Sequence, residues 1–315
     1  RTIWMANSLS IEQRMCKNPL LRSGLSLAKK RLNAKVNKMK YFFFGTPKFS
    51  AAVLKKLIDG GMPPSGVVSN PDRPAGRKKI ITSPPTKVLA LEHGIPVYQP
   101  EKLSKLEIEN WKLEIGEPEF AVVAAYAKII PREVINAFPK GIIGVHPSLL
   151  PKYRGASPIQ SAILNGDKET GVTLYQMDEK IDHGDILVND KFQMTNSKIT
   201  YEELEERLAE LAGDLLVKIL PDFAESGIKP AAQDESRATF TKKFSTQDGF
   251  VDLDKDDPAI IYRKVRALNP EPGVWTMKGD KRMKILKAEL DSSAGGSKLK
   301  LKEIQYEGGK PQILF

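Results

Sequence analysis

One histidine, a carboxylate-rich turn and a basic loop are the parts of this chain that could do chemistry. His146 ends the apolar run "GIIGVH" and opens "PSLLPKYRGASPIQ", a stretch stiffened by Pro147, Pro151 and Pro158. A histidine leaving a buried strand is well placed for acid–base work, because its ordinary pKa lies near neutrality. Position alone leaves a strand-capping histidine equally open. Asp178, Asp182 and Asp185 follow in "MDEKIDHGDIL". A carboxylate brought beside His146 would orient the ring and pair with its charged form. Asp185 next to Gly184 suits turn chemistry, which leaves Asp182 the less explained of the three. His93 and His183 read as surface residues. The basic feature is "NPDRPAGRKKIITSPP" (70–85), with Arg73, Arg77, Lys78 and Lys79 against Asp72. Such a long loop is a solvated connection or an arm whose cations contact phosphates of a folded nucleic acid.

These residues need a scaffold, and the hydrophobic pattern supplies one. "KYFFFG" (40–45), "SGVVS" (65–69), "FAVVAAY" (120–126) and "GIIGVH" (141–146) are short apolar runs. They alternate with helical stretches after "GTP" (45–47), at 86–93 and at 101–113. Apolar runs without in-out alternation indicate strands buried on both faces, hence a mostly parallel sheet in a Rossmann-like α/β domain. Ligands then bind beyond the carboxyl ends of the strands, where "AAYAKIIP" and Val145-His146 lie. The first turn, "FGTPKFSA", has one glycine where a dinucleotide fingerprint needs three, which argues against NAD. From residue 171 the pattern alternates like a hairpin ("GVTLYQM", "DILVNDKFQM"). A long amphipathic helix (200–226) then starts at Thr200, with Glu203 in capping-box position. The expected organisation is a catalytic domain over 39–226, a linker over 227–236 and a small C-terminal β-barrel domain over 237–315.

Composition narrows the class. The chain has 315 residues, 41% hydrophobic and 28% charged, enough for a sizeable core. No apolar run approaches the roughly 18–20 residues of a membrane span. The single cysteine, Cys16, excludes an internal disulfide, and three histidines offer no zinc-ligand cluster, so no metal is expected. Residues 1–38 carry nine basic residues against Glu12 alone and hold eight of the ten net positive charges. Nucleic-acid binding therefore has to be argued from local patches. The leader reads as upstream sequence before Met39, which places the protein in the cytoplasm; a transit peptide to the mitochondrial matrix is the alternative.

Taken together, "FFFGTPKFSA", "NPDRPAGR", "HPSLLPKYRGASPIQ", "GDKETGVTLYQMDEKIDHGDIL" and "VRALNPEPGVWT" resemble the methionyl-tRNA formyltransferase family in order and spacing, over residues 39 to about 310. The "SLLPKYRG" core is common to folate-dependent formyltransferases; the basic loop and "RALNPEPG" select the tRNA enzymes. A monomer is expected, and the resemblance implies a Rossmann-like catalytic domain followed by a C-terminal barrel of OB type. It also implies formyl transfer from 10-formyltetrahydrofolate to the α-amino group of methionyl initiator tRNA. His146 and Asp182 would be catalytic, with His146 donating to the oxyanion and Asp182 relaying the proton. Ser148, Leu149, Leu150 and Pro151 would line the folate site, beside Tyr126, Ala127, Lys128 and Ile129. Arg73, Arg77, Lys78 and Lys79 would contact tRNA, a surface that Arg263, Lys264, Arg266, Lys278, Lys281, Arg282, Lys284 and Lys287 could extend.

The sequence departs from that family at one catalytic position. Gly144 stands where the family has an asparagine that donates to the oxyanion, a loss worth on the order of 10²–10³ in rate. A bound water or another side chain could substitute. The competing readings are a 10-formyltetrahydrofolate hydrolase, a sugar N-formyltransferase, and an impaired paralogue that binds tRNA or folate. No glycine follows Arg77, and the chain stops at "GGKPQILF" where the family continues into a helix, which suggests truncation.

Overall fold

A computed structural model describes residues 39–76, 78–196, 198–291 and 297–314. The leader and Arg77 lie outside the described residues. Strand β1 (Tyr41–Gly45) is wholly buried, and its alternating side chains feed two cores. Tyr41 and Phe43 face one of them, with Val53, Leu54 and Leu57 of helix α1 (Lys48–Asp59). Phe42 and Phe44 face the other. A strand covered on both faces has no solvent side, which is why "YFFF" lacks alternation. The chain continues through β2 (Gly66–Val68), the short pair β3 (Arg73–Ala75) and β4 (Ile80–Thr82), α2 (Pro85–Glu92), β5 (Val97–Tyr98), α3 (Lys105–Ile115) and β6 (Phe120–Ala124). Helix α4 (Arg132–Ile135), β7 (Ile142–His146), β8 (Arg154–Gly155) and α5 (Pro158–Asn165) follow.

Next come β9 (Glu169–Gln176), β10 (Ile186–Gln193) and the 24-residue α6 (Tyr201–Ala224). The main sheet has the order β10-β9-β7-β6-β1-β2-β5. The strands from β5 to β7 pair in parallel, whereas β9 and β10 add antiparallel. Helix α6 starts where the sequence places it. The Thr200 hydroxyl accepts from Glu203 N, and the Glu203 carboxylate accepts from Thr200 N. Its apolar face, including Leu208, Ala212 and Leu216, packs on α1 and the sheet.

The segment after α6 returns to the main sheet at Ala231, which bridges Ile186 of β10, and β11 (Phe240–Thr241) then pairs with β8 in a separate two-stranded sheet. Helix α7 (Pro258–Leu268) then precedes an antiparallel sheet of β12 (Val274–Lys278), β13 (Lys281–Asp291), β14 (Lys298–Tyr306) and β15 (Gln312–Ile313). The sequence reading of 237–315 as strand-like pieces missed α7, whose buried Ile261, Val265 and Leu268 join the core that covers one face of the main sheet. It also treated 70–85 as a loop. The structure folds it into the β3–β4 hairpin, with Arg73 opposite Thr82.

That hairpin is anchored by Asp72, whose carboxylate accepts from Lys87, Gln99 and Ser83. The Lys87 ammonium first, then the Gln99 amide, lower the Asp72 carboxyl from 3.8 to about 2. A depressed carboxylate contributes fully above its unfolded pKa and loses that contribution as pH falls through its folded pKa. Amide exchange across 73–82 is therefore expected to be constant from neutral pH down to about 4, after correction for intrinsic rates, and to accelerate towards pH 2. Separately, Thr200→Ala is expected to destabilise the protein by about 1 kcal/mol in a denaturant titration, through loss of the cap.

Candidate active site

The sheet topology brings the chemistry together. β6 and β7 run parallel with Ala124 beside Val145, so the loops leaving both strands open on the same edge of the sheet. β7 also pairs with β9, His146 opposite Thr173 and Gly144 opposite Tyr175. The turn between β9 and β10 returns Asp182 to the end of β7. Asp182 has a φ of +50°, a left-handed conformation that aspartate tolerates better than most residues.

His146 is almost fully buried at 5% exposure. Its Nε2 lies 2.8 Å from the Tyr153 carbonyl oxygen, which can only accept, so Nε2 donates. That bond fixes the ring and leaves Nδ1 facing Asp182 Oδ2 at 3.5 Å, too long for a direct hydrogen bond. Asp182 is held from both sides. Oδ2 accepts from Gly155 N at 2.7 Å, and Oδ1 accepts from the Tyr175 hydroxyl at 2.8 Å. Burial, then the Asp182 charge, push the Tyr175 phenol well above its ordinary pKa, so it remains a donor.

A second layer of contacts comes from the segment read as a linker. Ala231 bridges Ile186, and Gln233 Nε2 donates to the carbonyls of Asp182 (3.0 Å) and Gly184 (2.8 Å). Arg154, 2% exposed, donates to Gln233 Oε1 and to both carboxylate oxygens of Glu235. This arrangement ties 152–155, 178–185 and 231–235 into one unit around the His146–Asp182 pair. His183, read as a surface residue, is instead half-buried within it. Its Nδ1 lies 2.5 Å from Asp178 Oδ2, and its Nε2 lies 3.6 Å from Glu235. His93 is exposed.

The other expected site residues divide by orientation. Thr173 braces the proline loop: its hydroxyl donates to Ser148 O and accepts from Leu150 N. Ser148 and Leu150 are buried, the Ser148 hydroxyl donating to Lys152 O, while Leu149 and Pro151 are half-exposed. Beyond β6, the Tyr126 ring turns into the core against Phe44, and its carbonyl accepts from Asn70 Nδ2. Ala127 and Ile129 are exposed, Ile129 at 92%, while Lys128 donates to the carbonyls of Pro100 and Glu101. The exposed surface in these stretches is thus Ala127 and Ile129, with Leu149 and Pro151 half-exposed. Among the described residues, no group of three or more His, Cys, Asp or Glu could hold a metal ion.

On the hairpin, Arg73 pairs with Glu101 at 2.6 Å, while Lys78 and Lys79 are exposed and make no ion pair among the described residues. The cations expected to extend this surface from the second domain need correction. Arg263 donates to Leu164 O, Lys264 to Phe250 O, and buried Arg266 to Ile199 O while lying over the Tyr262 ring. They fasten α7 to its surroundings. Arg282 stacks 4.1 Å over Trp275 and exposed Lys287 pairs with Glu303, which leaves Lys278, Lys281 and Lys284 exposed and without an ion pair among the described residues.

Sequence reasoning missed Tyr175, Tyr153, Arg154 and Gln233. Arg154 was visible inside "PKYRG" but had no partner until the fold brought 233–235 over it. Tyr175 could be found only from the register that sets it opposite Gly144.

A family model described as "Formyl transferase" matches residues 37–220, and one described as "Formyl transferase, C-terminal domain" matches residues 243–311. A methionyl-tRNA formyltransferase of Halalkalibacterium halodurans is 41% identical over 255 residues, 81% of this chain and 80% of that one. One of Lactobacillus johnsonii is 38% identical over 288 residues, covering 85% and 91%. The solved methionyl-tRNA formyltransferase of Clostridium thermocellum superposes with a TM-score of 0.56 at 17% identity, covering 88% of this chain and 99% of that one. A Helicobacter canadensis N-formyltransferase, solved with folinic acid and dTDP-3-aminofucose, superposes with a TM-score of 0.58 at 19% identity, covering 82% and 90%. With both of its domains matched in order around a buried His146–Asp182 pair, this chain belongs to the formyltransferase family.

Proposed function

We propose that this protein transfers a formyl group from 10-formyltetrahydrofolate to the α-amino group of methionyl initiator tRNA, acting as a cytoplasmic monomer. The observation that carries the reading is the buried His146 whose Nδ1 faces Asp182, in a chain about 40% identical to relatives that bear that activity's name. The half-exposed Leu149 and Pro151 and the exposed Ala127 and Ile129 suit a flat heterocycle placed across the ends of β6 and β7.

Each residue has a definable task in this reaction. The uncharged amine forms a bond to the formyl carbon, and the carbonyl electron pair moves onto the formyl oxygen. His146, its ring fixed through Nε2, acts as the imidazolium with a proton on each ring nitrogen and donates from Nδ1 to that oxygen. Asp182 accepts the proton released by the new amide nitrogen and returns it to the folate nitrogen as the carbon–nitrogen bond to folate breaks. Water in place of the amine would release formate, which is the hydrolase alternative. Lys78 and Lys79, exposed on the anchored hairpin, supply cations for acceptor-stem phosphates, with Arg77 beside them in sequence.

Purified protein is expected to formylate methionyl initiator tRNA, and His146→Ala or Asp182→Asn to lower kcat/KM by about 10²–10⁴. Formylation of an amino-sugar nucleotide instead, or formate release without tRNA, would reassign the substrate. Lys78→Ala with Lys79→Ala is expected to raise KM for tRNA while kcat holds. The salt dependence of tRNA binding should then flatten by about one unit of slope for each phosphate no longer neutralised. An unchanged slope would remove the hairpin from the interface.

A further inference from the structure

Gly144 sits on β7 two residues before His146 and directly opposite Tyr175 on β9. A Cβ at 144 would overlap ring atoms Cε1 and Cζ of Tyr175 and lie 2.8 Å from its hydroxyl oxygen. The ring is 4% exposed within the sheet, so moving it aside would displace its packed neighbours. The space an asparagine would use is therefore filled by the Tyr175 ring. The Tyr175 hydroxyl reaches past Gly144 to Asp182 Oδ1 at 2.8 Å, while Oδ2 takes Gly155 N and faces His146. An oxygen fixed at one end sets the direction of the other, so the tyrosine determines which Asp182 lone pairs point at the reacting atoms.

We propose that Gly144 and Tyr175 form one coupled unit in which the tyrosine, admitted by the glycine, is a positioning residue for Asp182. The inference rests on the formyl-transfer reading of the site. In this chain the volume beside Gly144 is filled from β9, and the hydroxyl brought there donates to Asp182 and not to the formyl oxygen. Gly144 then marks an altered construction of the site, in which that position serves the carboxylate. Reintroducing asparagine alone puts two side chains into one volume.

The test is a set of variants in the full chain, read by kinetics, unfolding and NMR. Tyr175→Phe keeps the ring and removes the donor to a charged acceptor. It is expected to lower kcat roughly 10- to 100-fold with KM for both substrates unchanged. It should also move the imidazole nitrogen signals of His146. Gly144→Asn is expected to lower Tm by roughly 2–10 °C. Tyr175→Leu with Gly144→Asn should recover much of that loss, giving strong non-additivity in the cycle. Full kcat with unmoved His146 signals in Tyr175→Phe would overturn the positioning role; an unchanged Tm in Gly144→Asn, or additive effects, would overturn the coupling. If the unsubstituted protein transfers no formyl group, the reaction assignment fails, and the NMR signals and the unfolding cycle still decide this inference.

Discussion

The antiparallel ladder between β7 and β9 is the constraint on which the site depends. Side chains alternate along a strand, so slipping this pairing by one residue would turn His146 and Tyr175 to opposite faces. In the observed register, Tyr175 stands opposite Gly144 and Thr173 opposite His146. Thr173 then reaches the proline loop, and Tyr175 reaches Asp182. A single pairing thus orients the histidine, its carboxylate and the loop beside them.

Buried polar groups around this ladder are satisfied from several directions. Asp182 takes a backbone amide and a phenol, His146 donates to a carbonyl, and Arg154 is neutralised by Glu235. Leaving one such partner unmade costs about 1–3 kcal/mol, more when a charge is involved. That penalty explains why residues 231–235 lie across the site and do not hang free. Ala125, Ala127, Tyr153 and Asp182 all adopt positive φ near the strand ends. Conformations of this kind cost of order 1–3 kcal/mol each and persist where surrounding contacts over-determine them.

Cationic residues in this chain serve two ends, and burial separates them. Arg154 and Arg266 are buried and tie elements together through carbonyls and carboxylates. Lys78, Lys79, Lys278, Lys281 and Lys284 keep their charge in water. An exposed lysine is strongly hydrated and contributes little to the fold, which suits it to long-range attraction of a polyanion.

By itself the sequence determined the parallel sheet, the β9–β10 hairpin and the α6 cap, which follow from local chemistry: apolar runs, alternation and a capping box. It put His146 at a strand end ahead of a carboxylate-rich turn, but the choice of Asp182 among three aspartates came from the family resemblance, and the fold then set Asp182 beside the ring. Helix α7 carried local signals that the reading passed over: Asp257 as N-cap, Pro258 at the first helical position, and Ile261, Val265 and Leu268 at helical spacing. The hairpin at 73–82 escaped because its pairing depends on Asp72 meeting Lys87 and Gln99 from separate elements. Only the tertiary structure decided what fills the space beside Gly144. The answer lies on another strand, and cross-strand register is a long-range property that no local pattern around residue 144 encodes.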